Sequence, residues 1–440
     1  MTTRIGPDRS RAIGEQNSYI ARMSAASIKG SYYTISFLYT LSASVIWGVN
    51  TLFLLGAGLN IQEVFIANAF FALGSAVFEL PTGVFADTKG RRFSFLMSVV
   101  VLCFATSGYV AVSLLGGGLA WFSVLSIFLG LGFTFYTGAV EAWVVDELKL
   151  VDSAEDLDPI FATAAGVSGV AMFIGTIGGG VLGTLALVYP YYVRSALLFV
   201  LFFFRLAFMK ERGFQPAARG KGGYLGALVG VTRNSVRFGW GRPVVRLIMI
   251  GTFIQSIFMM WGFYGWQPYL LDMLGMREAV WISGLIAAGV ACSAVIGNAA
   301  VPLMRRVFQR RTTILTIGVA VMAIASVVMG VTDRFGVAVS ALIVMMISMG
   351  ATMPVKQAYL HRKTPSEQRA TVISFDSLIG SVGSVIGQTG LGWVARHFSL
   401  ALGYVIGGGI LALSTPVYRL LARRRDPDDT IASTGRMRGN

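Results

Sequence analysis

The segment GVFADTKGRR, Gly83 to Arg92, lies between two long apolar stretches of the chain. Gly83 and Gly90 permit close packing and a sharp reversal of the backbone, because glycine lacks a Cβ atom. Asp87 adds one negative charge, and Arg91 and Arg92 add fixed positive charge. We therefore expect a tight, basic turn that joins two hydrophobic helices.

The composition of the chain indicates a membrane protein. Of its 440 residues, 55% are hydrophobic and only 13% are charged, whereas soluble domains carry about 25% charged residues. Its apolar runs are roughly 20 residues long, which is the length of a helix that crosses a hydrocarbon core. Because backbone polar groups in lipid must be bonded within their own segment, we predict that these runs are transmembrane helices.

Twelve apolar segments predict an all-α polytopic membrane protein. Their approximate spans are 32–54, 63–86, 93–115, 119–145, 160–185, 189–209, 244–271, 280–304, 312–331, 335–357, 370–395 and 399–421. We predict two pseudo-symmetric six-helix bundles, 32–209 and 244–425, joined by a basic, amphipathic cytoplasmic linker at 210–243. Cytoplasmic tails are predicted at 1–31 and 426–440.

Most basic residues of the connections fall in alternate ones, which is the positive-inside pattern, and the intervening connections hold little beyond Arg277, Arg334 and Arg396. Those in the alternate connections are Lys89, Arg91, Arg92, Arg305, Arg306, Arg310, Arg311, His361, Arg362, Lys363, Arg369, Arg423, Arg424 and Arg425. Residues 1–29 lack the apolar core of a signal peptide, so we expect both termini in the cytoplasm and the chain in the inner (plasma) membrane. The net charge of +15 is assigned to topology and to anionic inner-leaflet lipids rather than to nucleic acid.

The segment GVFADTKGRR resembles the signature loop of the major facilitator superfamily, which joins the second and third transmembrane helices. The resemblance implies a monomeric transporter that works by alternating access between two bundles. It also implies that Asp87 caps the eleventh transmembrane helix (370–395), in the opposite bundle, and stabilises the outward-facing state. The corresponding segment of the second half, GNAAVPLMRRVFQRR at 297–311, keeps Gly297 and the basic cluster but lacks the acid.

Two further resemblances favour the drug-efflux branch of proton antiporters. The segment AMFIGTIGGG, 171–180, is similar to an antiporter motif, although Thr176 replaces its proline. The segments FELPTG, 78–83, and EAWVVDEL, 141–148, are similar to drug-efflux-like members, although the arginine usual in helix 4 is missing. Glycines of a membrane helix also serve ordinary helix packing, so the motif at 171–180 leaves both interpretations open.

Three acids and two bases are predicted in one layer, roughly 7–11 Å inside the cytoplasmic ends of their helices: Glu79, Glu141, Asp376, Lys356 and Arg205. An acid within the membrane costs at least about 2.5 kcal/mol, so such acids are functional candidates. Either the layer is a salt-bridge network that closes a cytoplasmic gate, or one acid, Glu79 first and Glu141 second, carries a coupling proton. Asp146, one turn lower, is expected to pair with Arg91 or Arg92.

Aromatic, amide and methionine side chains of helices 1, 7 and 10 are candidates for a substrate cavity, which the resemblance places between helices 1, 4, 7 and 10. They are Tyr39, Trp47, Asn50, Gln255, Trp261, Tyr264, Met349 and Met353. Methionine and aromatic surfaces suit variable lipophilic ligands, but such residues also pack or face lipid. The scarcity of charge at mid-membrane argues against strongly ionic substrates such as phosphate or nitrate.

The sequence predicts a transporter rather than an enzyme. The segment GKGG at 220–223 lacks the spacing of a P-loop, and two histidines and two cysteines form no metal motif. We therefore expect no cofactor and no metal, with protons and a small molecule as partners. The favoured function is export of a lipophilic small molecule, drug or natural product, coupled to proton entry. The alternatives are uptake or facilitated diffusion of a neutral metabolite, such as a sugar or nucleoside, and a non-transporting receptor or scaffold.

Overall fold

The computed structural model describes residues 7–151, 156–214, 240–276, 278–364 and 369–431. These residues are almost entirely helical. The α-helices are α1 Pro7–Ser44, α2 Asn50–Gly56, α3 Ile61–Lys89, α4 Arg91–Leu114, α5 Leu119–Tyr136, α6 Ala139–Leu150, α7 Leu157–Leu185, α8 Tyr189–Phe208, α9 Pro243–Leu274, α10 Val280–Val307, α11 Arg311–Val331, α12 Phe335–Lys363, α13 Arg369–His397, α14 Leu400–Ala412 and α15 Ser414–Arg423.

The predicted all-α polytopic fold is confirmed. Among the described residues, 11 helical segments are long and apolar enough to cross a membrane, and they match the second to twelfth predicted segments. The first predicted segment, 32–54, is divided between α1 and α2 by a turn at 45–49. The fourth is divided at Gly138, which has a φ of 74°, and the twelfth is divided between α14 and α15.

Parts of the predicted domain plan fall beyond the described ranges. Residues 215–239, which are most of the predicted amphipathic linker, lie outside the described residues, as do 1–6 and 432–440. Helix α1 begins at Pro7, within the predicted amino-terminal tail.

The two halves meet through helices that are far apart in sequence. Helix α3 packs against α13, α7 packs against α10, and α2 contacts α9. We call the membrane face that carries Gly90 and the α10–α11 connection the basic face, and the opposite one the far face. Phe65, near the far-face end of α3, stacks on Trp261 of α9 with ring centroids 5.3 Å apart. It therefore joins the hydrophobic core of the second half.

Helices α7 and α10 approach most closely at two glycines near the far face. A Cβ atom on Gly284 would come within 2.6 Å of the Thr176 carbonyl oxygen and 2.7 Å of the Gly180 Cα atom. Beside this contact, the Ser283 hydroxyl donates a hydrogen bond of 2.5 Å to the Gly48 carbonyl. Small residues permit such close backbone contact between membrane helices, and here they close the far face.

Gln267 of α9 reinforces the same closure with a buried side-chain amide. Its Nε2 atom donates to the Trp47 carbonyl at 2.7 Å, and its Oε1 atom accepts from the Thr51 amide at 3.1 Å. The Thr51 hydroxyl donates to the Tyr264 carbonyl at 2.9 Å. Because the backbone is interrupted between α1 and α2, its free polar groups are satisfied from the opposite half, as groups in a membrane interior must be.

We predict that Gly284→Val will weaken far-face closure, because the added side chain cannot fit between α7 and α10. Overpacking costs about 1–3 kcal/mol, which would raise the population open at the far face roughly 5- to 150-fold. A cysteine placed at the buried Ser283, after replacement of Cys103 and Cys292, should then react faster with a membrane-impermeant maleimide.

The control is Gly289→Val, on the same helix, where an added Cβ atom meets no atom within 4 Å. Equal labelling rates for the two variants would contradict the assigned role of Gly284.

Candidate transport pathway and signature loop

The predicted signature loop forms a tight turn between α3 and α4. Gly90 has a φ of 108°, a backbone conformation that residues other than glycine rarely adopt. Asp87 Oδ1 lies 2.7 Å from Arg91 Nη1, and Arg91 Nε lies 3.9 Å from Asp146 Oδ2. Asp87 thus pairs with an arginine of its own loop. That Asp87 caps the eleventh transmembrane helix, α13, stays a prediction for the outward-facing conformation.

The amino terminus of α4 is capped by an acid that follows the sixth transmembrane helix. Glu211 Oε1 accepts hydrogen bonds from the Arg91 amide at 2.5 Å and the Arg92 amide at 3.0 Å. The first amides of a helix have no partner within it, and they favour a negative charge. A Cβ atom on Gly90 would come within 2.6 Å of this carboxylate, so any other residue here would also displace the cap.

Arg205 belongs to this loop rather than to the predicted acidic layer. Its Nη2 and Nε atoms donate to the Arg92 carbonyl at 2.7 and 3.2 Å. The long side chain extends towards the basic face, as arginines near helix ends commonly do.

A second acid holds the segment that supplies Glu211. Glu147 on α6 is 4% exposed, and its Oε1 atom accepts from the amides of Arg212 at 2.6 Å and Gly213 at 2.8 Å. The Trp143 indole donates to the Lys210 carbonyl at 2.7 Å. Residues 210–213 are therefore anchored to α6.

The second half has a matching cap, although its loop contains no acid. Asp429, which follows the twelfth transmembrane helix, accepts hydrogen bonds of 2.8 Å from both the amide and the hydroxyl of Thr312. Thr312 lies in the first turn of α11, so Asp429 corresponds to Glu211. As in the first half, the capping acid lies far along the chain, 117 residues after the amide that it accepts from.

Ion pairs and main-chain bonds fasten the segment that carries Asp429. Lys363 Nζ lies 2.6 Å from carboxylate oxygens of both Asp426 and Asp428. The Ile431 amide donates to the Gln309 carbonyl at 2.8 Å. We call residues 426–431 the carboxy-terminal clasp. The hydrogen bond from Lys363 holds the pKa of Asp428 below its ordinary value.

The acids predicted within the membrane have different surroundings. Asp376 is 9% exposed and lies 3.4 Å from Lys356 Nζ, which also donates to the Thr252 hydroxyl at 2.9 Å. Glu141 lies at the start of α6, close enough to Tyr32 and Tyr136 to interact electrostatically. One ion pair therefore forms within the predicted layer, inside the second half.

Glu79 lies at the interface of the two halves. It is half-buried on α3 and close to Ser377 of α13, the residue next to Asp376, where α3 and α13 pack against each other. Within the part of the chain that the structure describes, Glu79 forms no ion pair with lysine or arginine. It is thus a carboxyl group without a basic partner at the interface of the halves.

Three cavity candidates lie in polar or aromatic clusters. Tyr39 stacks on Tyr136 with ring centroids 3.5 Å apart. Asn50 donates to Asn68 at 3.1 Å and accepts from the Tyr191 hydroxyl at 2.9 Å. Gln255 donates to the Tyr418 hydroxyl at 2.6 Å.

The remaining cavity candidates vary in exposure. Trp261 is 0% exposed and contacts Phe65, Phe258 and Tyr404, so it offers no surface to a solute in this conformation. Tyr264 and Met349 are half-buried, whereas Trp47 and Met353 are exposed.

The sequence analysis missed Arg194, a buried cation within the membrane region. It lies on α8 and is 9% exposed, with the tyrosines at 39, 109, 191 and 264 close enough to interact electrostatically. A signal was present, because Arg194 is an isolated charge within the apolar segment 189–209. Glu147, Glu211 and Asp429 gave no comparable signal, since acids at helix ends are common in any protein.

Comparisons with known proteins agree with this architecture. A family model described as the Major Facilitator Superfamily matches residues 32–386 and 299–437. The uncharacterized MFS-type transporter YxaM of Bacillus subtilis (strain 168) is 20% identical over 403 residues, which cover 90% of this chain and 96% of that protein.

Two solved structures show the same fold. The nucleoside transporter NupG superposes with a TM-score of 0.73 and 11% identity, covering 90% of this chain and 99% of that chain. A D-xylose-proton symporter has a TM-score of 0.68 and 14% identity, covering 90% of this chain and 97% of that chain.

We predict that Glu211→Gln will destabilise the signature loop, because it removes the negative charge from the amino terminus of α4. Loss of a helix cap costs about 0.5–2 kcal/mol, so the melting temperature of the purified protein should fall. Hydrogen exchange at the amides of Arg91 and Arg92 should accelerate. Lys210→Gln is the control, since Lys210 contributes only its carbonyl to this anchor; identical exchange in both variants would refute the role of Glu211.

We predict that the carboxy-terminal clasp weakens in acid. A lowered pKa means that Asp428 stabilises the fold above the ordinary aspartate range, about pH 3.9, and that this stabilisation is lost as the pH falls through the lowered value. The melting temperature of the wild type should exceed that of Asp428→Asn at neutral pH, and the difference should shrink below that range. Asp333→Asn, at an exposed far-face position, is the control, and a constant Asp428→Asn difference at all pH values would contradict the assignment.

Proposed function

The chain belongs to the Major Facilitator Superfamily, and we propose that this transporter exports a lipophilic small molecule in exchange for protons. The observation that carries the proposal is Glu79, a half-buried acid without a described basic partner that lies close to Ser377 of the opposite half. A carboxylate is costly inside a membrane, so Glu79 should hold a proton while the halves pack around it.

Separation of α3 from α13 would break the contact between Glu79 and Ser377. Water could then reach the carboxyl group and accept its proton, which couples the change of shape to proton movement. In export, the proton enters from the outside as substrate leaves, and it is released at the basic face. We propose that this face is cytoplasmic, in the inner membrane, and that both termini lie there.

The aromatic lining supports a lipophilic substrate. The ring pair of Tyr39 and Tyr136 lies between helices that belong to the predicted cavity, and Met353 and Trp47 expose apolar side chains. Ring faces and thioethers adapt to differently shaped apolar ligands.

Uptake or facilitated diffusion of a neutral metabolite is the second candidate. It is favoured by the names of two proteins with this fold, a nucleoside transporter and a D-xylose-proton symporter. It predicts equilibration of a nucleoside or sugar without outward movement of drugs.

We predict that Glu79→Gln will abolish proton-driven transport while leaving exchange of substrate across the membrane intact, because the amide cannot release a proton. The measurement is internal pH in proteoliposomes as lipophilic compounds are added. Glu63→Gln, the same substitution in the first turn of the same helix, is the control. Its carboxylate accepts from the Asn60 amide, and an amide oxygen can do the same.

Proton movement that persists in Glu79→Gln would exclude Glu79 as the coupling residue. Equilibration of labelled nucleoside or sugar, with no proton response to any lipophilic compound, would favour the second candidate.

A further inference from the structure

The proton coupling assigned to Glu79 does not involve Arg194, yet Arg194 is a costly group to place where it lies. It is five residues from the far-face end of α8 at Tyr189, or about 7 Å along the helix. Its guanidinium group stays charged at any pH of interest, and charges within a membrane normally pair with one another or line a substrate pathway.

The described residues around Arg194 supply hydroxyl groups rather than a carboxylate. Its electrostatic neighbours are four tyrosines: Tyr39, Tyr191, Tyr109 and Tyr264. Within the described ranges no aspartate or glutamate forms an ion pair with it, and its buried Nε atom has no hydrogen-bond partner. The cluster therefore carries an uncompensated positive charge and an unused donor.

The cluster includes residues of both halves. Tyr264 lies on α9, one turn from Gln267, and its carbonyl accepts from the Thr51 hydroxyl. The other tyrosines and Arg194 belong to the first half. A molecule bound by Arg194 and Tyr264 would therefore contact both halves next to the far-face closure, where binding can influence which face is open.

We propose that Arg194 and the Tyr264 hydroxyl bind the carboxylate of an amphipathic organic acid, which is the transported substrate. This deepens the proposed function by naming the substrate class. A guanidinium group matches a carboxylate with two parallel hydrogen bonds, and the Tyr264 hydroxyl can donate to a remaining lone pair. The hydroxyls of Tyr191 and Tyr109 are already bonded to Asn50 and Ser126. The stacked rings of Tyr39 and Tyr136 would contact its apolar part. The expectation that a low charge density excludes ionic substrates overlooked this residue.

The test compares carboxylic acids with their uncharged amides on the full chain purified in detergent. Octanoate is paired with octanamide, and naphthoate with naphthamide, and affinity is measured by ligand-induced thermal shift. The variants are Arg194→Gln, Arg194→Lys and Tyr264→Phe. The control is Tyr192→Phe, which removes a hydroxyl from an exposed position two residues from Arg194.

We expect at least one acid to bind the wild type and Tyr192→Phe on the order of 10- to 100-fold more tightly than its amide. Arg194→Gln should erase this preference, Arg194→Lys should keep part of it, and Tyr264→Phe should reduce it. Equal affinity of acid and amide in every pair overturns the inference without recourse to any variant, as does a preference that survives Arg194→Gln. If Arg194→Gln does not fold, the acid-over-amide preferences of the wild type and of Arg194→Lys test the inference.

A measurement of proton movement distinguishes a failure of this inference from a failure of the proposed function. An acid preference without acid-evoked proton movement in proteoliposomes would overturn proton-coupled export and leave the anion site standing. Proton movement evoked by neutral compounds alone would overturn the anion site and leave export standing.

Discussion

The backbone contact between α7 and α10 at Gly180 and Gly284 is the constraint on which the rest of the arrangement depends. Helices can approach this closely only where side chains are absent. Hydrogen bonds from Gln267, Thr51 and Ser283 to carbonyl groups of the opposite half add to this packing. Such packing resists a small displacement of either helix. A closure of this kind can be broken and remade during a transport cycle.

The polar groups of the interior are arranged in relation to that closure. The Arg194 cluster lies close to it, with Tyr264 contributed by the opposite half. Glu79 lies further towards the basic face, where it faces Ser377 of the opposite half. A substrate bound near Arg194 and a proton bound at Glu79 would therefore both contact the interface between the two halves, at different depths in the membrane. Coupling requires that both sites influence the same conformational equilibrium.

The fold could be predicted from the sequence to within a few residues at most helix ends, because lipid imposes the length of each apolar run. The break at Gly138 could not, since a single glycine in a membrane helix is compatible with a continuous helix as well as with a break. The site was predicted less completely. Glu79 and Asp376 stood out as charges in apolar segments, and Arg194 should have stood out for the same reason. Glu211 and Glu147 could not be found, because their partners are backbone amides identified only by the folded structure.

The two capped loops have a consequence for the order in which the protein can fold. The amide of Arg91 is separated from its cap, Glu211, by 120 residues, and Thr312 is separated from Asp429 by 117. Chains are synthesised from the amino terminus, so each loop remains uncapped until the last helix of its own half has been made. Each half therefore completes its third helix only when its sixth has emerged. A chain interrupted within either half would expose an unfinished helix terminus at the basic face, where quality control could detect it.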